Sequence, residues 1–429
     1  MSRRNIIVAV AVAFLTFFDF LFPRIQIGPL TLTLLRVILL ALFSFLIAKQ
    51  LKDRKIIVSH SGYINAVLLF LITWILYGLL QTTWAIDKTS AIKQVYYLGL
   101  FAVLIYTMLM FLDSIRIFVR LNQFLYCMAV FFIVYGVAEL TLNIHFPTSR
   151  VVLEPQLYHN VQRATAVFYN ENDFSFYLVL VAPMFLLNIF YKKRIERAVN
   201  LLFFIMIFYI VMANDSRVCL IALFIQVIAG LWLERKTARN MKYHLMVLVL
   251  SGLAILTLFR GYLQHAYELI MYQLSTGSGS AAIRRELISK GIEFVKNSYL
   301  LGIGPGNFET NVYMMTSGKG ISGIFNAHNW WIELVANYGL FIFVLYAAMF
   351  MGLLVHLRWV QKKVNSRVYS RYASYFLLSF IGFIFSSLSS SSIFYIWYQW
   401  LHLALALSLI DIYHEYQANT VSKKCINAP

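Results

Sequence analysis

The stretch INAVLLFLITWILYGLL, residues 64–80, contains seventeen consecutive residues without a charge. A bilayer core about 30 Å thick requires roughly 17–25 apolar residues in one helix, because an α-helix rises about 1.5 Å per residue. This stretch is therefore predicted to be a transmembrane helix.

Similar stretches recur along the whole chain. Of its 429 residues, 61% are hydrophobic and 13% are charged, and the mean hydropathy is +0.73. A soluble domain carries about 25% charged residues. We therefore predict an all-α polytopic membrane protein, a single integral membrane domain over residues 1–429, with about twelve transmembrane helices. The predicted spans are 5–22, 28–48, 64–80, 95–112, 121–141, 174–191, 198–213, 217–233, 243–260, 330–357, 371–387 and 391–412.

The distribution of basic residues predicts the orientation. With the N-terminus in the cytoplasm, the inside segments carry 23 of the 36 lysines and arginines, and the longer outside segments carry 12. Cytoplasmic loops of membrane proteins are enriched in these residues. We predict a cytoplasmic membrane protein with both termini in the cytoplasm. The net charge of +18 is then a property of these loops and does not indicate a nucleic-acid partner.

The segment 261–329, between the predicted ninth and tenth spans, is too long to be a simple connection. Within it, Ile283, Leu287, Ile288 and Ile292 recur at helical spacing and predict a helix over 281–297. The chain is thus expected to carry a large extracytoplasmic loop.

Polar side chains gather at the predicted outer face, and they suit a diphosphate substrate. The planar guanidinium fork binds phosphate oxygens through two hydrogen bonds at once. A neutral imidazole at His328 could accept a proton from a sugar hydroxyl, and Glu333 could orient that imidazole or pair with an arginine. The residues concerned are Arg163, Arg217, Arg284, Arg285, His328, Asn329 and Glu333.

Each of these residues also has a structural interpretation. Arg217 could end a helix and extend to lipid headgroups. Arg284 and Arg285 could form the solvated face of a surface helix. His328, which precedes two tryptophans, could belong to an aromatic belt. The residues alone leave these alternatives open.

Neither a metal nor a cofactor is predicted. The glycine-rich stretch Gly302–Phe308 follows a helix and not a strand, which argues against a nucleotide-binding loop. The three cysteines, Cys127, Cys219 and Cys425, show no zinc-ligand spacing, and there is no Asp-x-Asp motif.

Three short motifs together resemble the signature region of the O-antigen ligase and polymerase superfamily. They are GIGPGNF at 302–308, AHNWWIE at 327–333 and NYGL at 337–340. The resemblance covers roughly residues 160–350, and the twelve-helix topology agrees with it over the whole chain.

Three further matches lie upstream. The family has an arginine eighteen residues before the first of those glycines, which selects Arg284 over Arg285. Its Ser-Arg at the start of a span matches Ser216-Arg217, and its Asn-x-Asn matches Asn170-Glu-Asn172.

The resemblance implies a membrane glycosyltransferase that needs neither a metal nor a nucleotide sugar. Such an enzyme takes a glycan from undecaprenyl diphosphate at the outer face and transfers it to an acceptor hydroxyl. It implies that His328 acts as base or orienting group and that Arg217 and Arg284 clamp the diphosphate. The remaining substrate-binding candidates are Arg163, Asn170, Asn172, Arg285, Asn329, Glu333, Trp330 and Trp331.

Two reactions fit this family. A polymerase joins repeat units of a capsule, exopolysaccharide or teichuronic-type chain, and a ligase moves a finished chain to lipid A-core or another acceptor. The pair Trp330-Trp331 resembles family members from Gram-positive polysaccharide clusters, which lack lipid A, and this resemblance favours the polymerase. Expected partners are the lipid-linked glycan, membrane lipid, a chain-length regulator and a flippase.

A transporter of lipid-linked sugars is the alternative from another class. It would require two related halves and polar residues at mid-membrane, and the sequence shows neither. A scaffold protein would leave the arginines and His328 at the outer face without a role.

Overall fold

The computed structural model describes residues 2–54, 59, 61–157, 162–235, 264, 271, 280–321, 323–363, 366–388 and 393–426. The α-helices of these residues are α1 (Ser2–Phe18), α2 (Leu34–Asp53), α3 (Gly62–Gln81), α4 (Lys88–Phe111), α5 (Ile115–Leu142), α6 (Arg150–Leu153), α7 (Glu171–Tyr191), α8 (Arg194–Ala213), α9 (Arg217–Glu234), α10 (Ser280–Asn297), α11 (Phe308–Met315), α12 (Trp330–Lys363), α13 (Arg367–Ser386) and α14 (Trp397–Ile426).

The prediction of an all-α polytopic membrane protein is confirmed. Ten helices in the described part of the chain are long and apolar enough to cross a membrane. The predicted ninth span, 243–260, lies outside the described residues. The predicted twelfth span, 391–412, corresponds to α14, which is not among those ten. The number of about twelve spans therefore stays a prediction.

The predicted start of the second span was wrong. The second span begins at Leu34 and not at residue 28, because a short antiparallel hairpin precedes it. Its strands are β1 (Ile25–Ile27) and β2 (Leu30–Leu32), with Ile25 opposite Leu32. Gly28 makes the turn with a φ of +57°, a conformation that glycine adopts without steric cost.

Hydrogen bonds join helix ends that the sequence predicts to lie on the same side of the membrane. On the predicted cytoplasmic side, Asn5 donates to Asp113 at 2.8 Å and Ser374 donates to Glu234 at 2.7 Å. On the other side, the Trp330 N–H donates to the Ser387 carbonyl at 3.0 Å. These contacts agree with the prediction that successive helices cross the membrane in opposite directions. Which face of the bundle is cytoplasmic stays a prediction.

Helix α7 lies at the centre of the bundle. In its most apolar stretch 89% of the residues are buried, compared with 17% in α2, which faces outward. It packs against α8, α9 and α13. Because α7 is apolar on all sides, it is stable only when other helices or lipid surround it. It fixes the positions of α9 and of the loop that precedes α7.

The segment before α12 has a hydrophobic core of its own, separate from that of the bundle. The predicted helix over 281–297 is confirmed by α10, and α11 follows it. The buried residues of this second core are Leu287, Phe294, Phe308, Val312, Ile321, Ala327 and Ala336. A Cβ added at Gly291 would lie 2.3 Å from Ile332 Cγ2, so α10 and the start of α12 approach closely.

The glycine-rich stretch Gly302–Phe308 connects this core to the bundle. Gly339 breaks α12 with φ 78° and ψ 177°, which exposes backbone groups for pairing. Ile303 and Gly304 donate their N–H groups to the carbonyls of Ala336 and Asn337, at 2.9 and 3.0 Å. These glycines therefore have a structural role, since they let the loop backbone lie directly against the broken helix.

Candidate functional site

Arg284 lies on the packed face of α10. Leu287, Gly291 and Phe294 are buried on this face, and Arg284 precedes them at helical spacing. Arg284 is accordingly half-buried, whereas the neighbouring Arg285 is exposed. The choice of Arg284 over Arg285, which the family resemblance implies, stays a prediction.

Arg217 is the first residue of α9 and follows a tight turn. Asp215 in that turn has a φ of +53°, a left-handed conformation that aspartate tolerates better than most residues. The Arg217 Nε lies 3.3 Å from Asp215 Oδ1, and both side chains are about one-third exposed, at 28% and 36%. The free N–H groups at a helix N-terminus also attract anions.

The fold places Arg217 within electrostatic range of Arg284, although the two residues belong to separate elements. Burial lowers the pKa of Arg284, the nearby Cys219 opposes this effect, and the positive charge of Arg217 lowers the pKa further. A guanidinium nevertheless stays protonated in proteins. Among the described residues, Arg284 has no carboxylate within ion-pair distance. Two neighbouring cations, of which only Arg217 has a described ion pair, form a site suited to an anion.

The segment that carries Arg163 is fixed by two buried polar side chains. Glu139, at the outer end of α5, accepts hydrogen bonds from the N–H groups of Thr165 and Ala166, at 2.9 and 2.6 Å. Asn214 pairs with the backbone N–H and carbonyl of Ala164, both at 2.8 Å. The Arg163 guanidinium donates to the Ala213 carbonyl, which places it beside the turn before Arg217.

The predicted Asn170-x-Asn172 motif begins α7. Asn170 caps this helix by accepting from the Asp173 N–H at 2.8 Å, and Asn172 is half-buried in the first turn. The Asp173 carbonyl accepts from Tyr398 on α14 at 2.6 Å, and its carboxylate lies within electrostatic range of Cys219. The start of α7 therefore lies close to the start of α9 and to the arginine pair.

His328 precedes α12 in an unusual backbone conformation. Its φ is +44°, in the left-handed region that non-glycine residues rarely adopt and that concentrates at functional sites. The side chain is half-buried. The adjacent Ala327 belongs to the same hydrophobic cluster as Leu287, one turn of α10 away from Arg284.

Residues after His328 are largely occupied by structural contacts. Asn329 caps α12 by accepting from the Trp331 N–H at 3.1 Å. Trp330 is 2% exposed and contacts Tyr346 and Phe394, and the Trp331 indole donates to Ser387 Oγ at 3.1 Å. Glu333 is buried within electrostatic range of Tyr395. The structure thus gives Asn329 a capping role and buries Trp330.

Sequence reasoning did not assign a role to Glu139, Asn214, Asp173 or Tyr398. A signal was present for Glu139, since a lone carboxylate in an apolar span requires a buried partner. The roles of Asn214, Asp173 and Tyr398 depend on contacts between helices that are distant in the sequence, and no local pattern indicates them.

The described residues contain no group of three histidine, cysteine or acidic side chains that could hold a metal ion.

Comparison with known proteins gives two matches. The family model for O-antigen ligase matches residues 201–347. The teichuronic acid biosynthesis protein TuaE of Bacillus subtilis (strain 168) is 24% identical over 414 residues, which cover 92% of this chain and 82% of that protein.

The matched region 201–347 includes Arg217, Arg284 and His328. With the apolar helices, these findings support a multi-pass membrane protein of cell-surface glycan synthesis, a polysaccharide ligase or polymerase. The resemblance of this chain to the O-antigen ligase and polymerase superfamily is thereby confirmed.

Proposed function

We propose that this protein polymerises the repeat units of a cell-surface polysaccharide, using an oligosaccharide linked to undecaprenyl diphosphate at the outer face of the cytoplasmic membrane. The observation that supports the proposal is that Arg217, at the start of α9, lies within electrostatic range of Arg284 on α10. A diphosphate is the group of a lipid-linked donor that needs such a pair of cations.

The reaction is a single displacement. The acceptor hydroxyl oxygen attacks the anomeric carbon, the bond from that carbon to the diphosphate oxygen breaks, and the configuration inverts. His328 takes the hydroxyl proton as the new bond forms. Arg217 and Arg284 stabilise the charge that develops on the departing diphosphate, which remains on the lipid.

The arginine pair can supply the positive charge that a divalent ion supplies in other glycosyltransferases. We therefore expect transfer by the purified protein to continue in a chelator. The match to a protein named for teichuronic acid biosynthesis favours an acidic wall polysaccharide as the product. A chain-length regulator and a flippase of the same pathway are the expected partners.

The test is a chromosomal deletion complemented by wild type or by His328→Asn, with lipid-linked and surface glycans separated on a gel. A polymerase predicts single repeat units on the carrier in the deletion strain, and long chains only with the wild type. Long chains that stay on the carrier would identify a ligase. Repeat units confined to the cytoplasmic face would identify a transporter and overturn the proposal.

A further inference from the structure

A second polar site lies at the opposite end of the bundle from the arginine pair. A cavity of about 750 Å³ opens between the ends of α5, α7, α8 and α13 that are predicted to be cytoplasmic. Its volume falls in the range of about 300–1,000 Å³ that is typical of small-molecule sites. The proposed glycan transfer does not use this space.

Buried amides form part of the cavity wall. Asn188 Nδ2 and the Tyr126 hydroxyl donate to the same Asn200 Oδ1 atom, at 2.8 and 3.1 Å. The Arg371 guanidinium donates to Asn188 Oδ1. Arg371 is thereby held at the wall, and because a guanidinium has five N–H donors it can also bind a ligand.

Among the described residues that line the cavity, basic side chains outnumber acidic ones. Lys192, Arg367 and Arg371 face a single carboxylate, Glu196, which lies 3.1 Å from Lys192. The N-termini of α8 and α13 lie at the same cavity and add the positive end of their dipoles. Basic pockets between transmembrane helices on the cytoplasmic side suit phosphate-bearing headgroups.

One residue at the cavity has a buried acceptor atom without a described partner. Asn122 is 1% exposed, and its Nδ2 donates to the Phe118 carbonyl at 2.9 Å. Its Oδ1 has no hydrogen-bond partner among the described residues. A buried acceptor without a partner costs free energy, so this atom favours a ligand with a hydroxyl group.

The rim of the cavity is apolar and open to the surroundings. Ile195, Val199 and Val368 line it and are 79%, 43% and 44% exposed. Exposed aliphatic side chains beside a cationic interior suit an amphiphile, because acyl chains can lie against the rim while the headgroup enters.

We propose that this cavity binds an anionic phospholipid with a phosphoglycerol headgroup. Lys192, Arg367 and Arg371 contact the phosphate, Asn122 Oδ1 accepts from a glycerol hydroxyl, and the acyl chains follow the rim. The predicted topology places this lipid in the cytoplasmic leaflet. The proposal does not depend on the glycan-transfer reaction.

The test measures lipid binding to the delipidated full-length protein in detergent, by native mass spectrometry, with phosphatidylglycerol as the probe. The double variant Lys192→Gln/Arg367→Gln should bind it about thirtyfold more weakly, since two basic contacts are lost. Lys193→Gln/Lys363→Gln, which removes two exposed charges outside the cavity, should bind within about twofold of wild type. Equal weakening by both double variants would mean a general surface charge effect and would overturn the proposal.

Two single variants identify the ligand. Asn122→Leu should remove the preference for phosphatidylglycerol over phosphatidic acid and leave phosphatidic acid binding unchanged. Ile195→Asn should weaken binding of phosphatidylglycerol, and because this side chain is exposed the fold should be retained. If glycerol 3-phosphate competes as well as the lipid does, the site takes a soluble phosphoester and the lipid assignment is wrong.

Discussion

Arg217, the first residue of α9, lies close enough to Arg284 on α10 for its charge to lower the pKa of the Arg284 guanidinium. Neighbouring cations repel each other, so their proximity has an energetic cost in the empty protein. An anion bound between them would relieve this repulsion. The arrangement therefore predicts that both arginines are needed for binding the diphosphate donor.

Arg284→Ala should reduce glycan transfer by about a hundredfold or more, the cost of removing one donor that stabilises developing negative charge. Arg285→Ala is the matched control, because Arg285 is the next residue on the same helix and is exposed. It should retain transfer within about twofold, since an exposed charge contributes little. The measurement is polymer yield in membranes with equal amounts of each variant. Equal loss in both variants would show that the helix carries only a general charge.

Arg217→Lys should also lose most of its activity, because an ammonium group cannot form two parallel hydrogen bonds to phosphate oxygens. The substitution keeps the charge and the pair with Asp215. Arg235→Lys, at the other end of α9, controls for the same change outside the site. Transfer rates for both variants should be measured with saturating donor. Wild-type rates in Arg217→Lys would leave only a point-charge role for this residue.

His328→Asn should abolish transfer and leave the fold intact. The left-handed backbone at φ +44° would strain an alanine, whereas asparagine adopts this region readily. Asparagine thus removes the imidazole at little conformational cost. His328→Gly, which has no such strain at all, should be equally inactive. If either variant retained activity, His328 would act through its backbone conformation and not as a base.

The sequence was sufficient for the membrane class, because the length of an apolar stretch is a local property. The choice of Arg284 came from the family resemblance and stays a prediction. The sequence placed the start of α2 too early, since the hairpin from Ile25 to Leu32 is itself apolar and continues the hydrophobic run. Residues that fix the site through distant contacts were not predicted. Glu139 holds the backbone of Thr165 and Ala166, and Tyr398 holds that of Asp173, through pairings that no local pattern records.

The pairing of the stretch Gly302–Phe308 with α12 could likewise not be predicted from local sequence patterns. Turn-forming residues predicted a break in the chain, but its docking partner is the backbone of α12 more than thirty residues later. The break at Gly339 exists because the Leu300 carbonyl accepts from the Leu340 N–H at 2.9 Å, which requires the two backbones to touch. The apolar residues from Trp330 to residue 357, taken alone, predict one continuous transmembrane helix.

Gly339→Ala should therefore weaken the packing of the stretch Gly302–Phe308 against α12. The loss should be far larger than the strain of a left-handed alanine alone. An added Cβ at Gly339 would lie 2.4 Å from the Leu300 carbonyl oxygen, a backbone atom that cannot rotate away. Gly323 is the matched control, because it has the same φ of +78° and, apart from its chain neighbours, no described atom within 4 Å of an added Cβ. Gly323→Ala should cost only about 1 kcal/mol, the strain of a left-handed alanine. Gly339→Ala should cost several-fold more and lower the Tm in detergent accordingly. Because α10 then loses its fixed position relative to α9, glycan transfer should fall in Gly339→Ala. Transfer should persist in Gly323→Ala. Equal Tm values for the two variants would contradict this account.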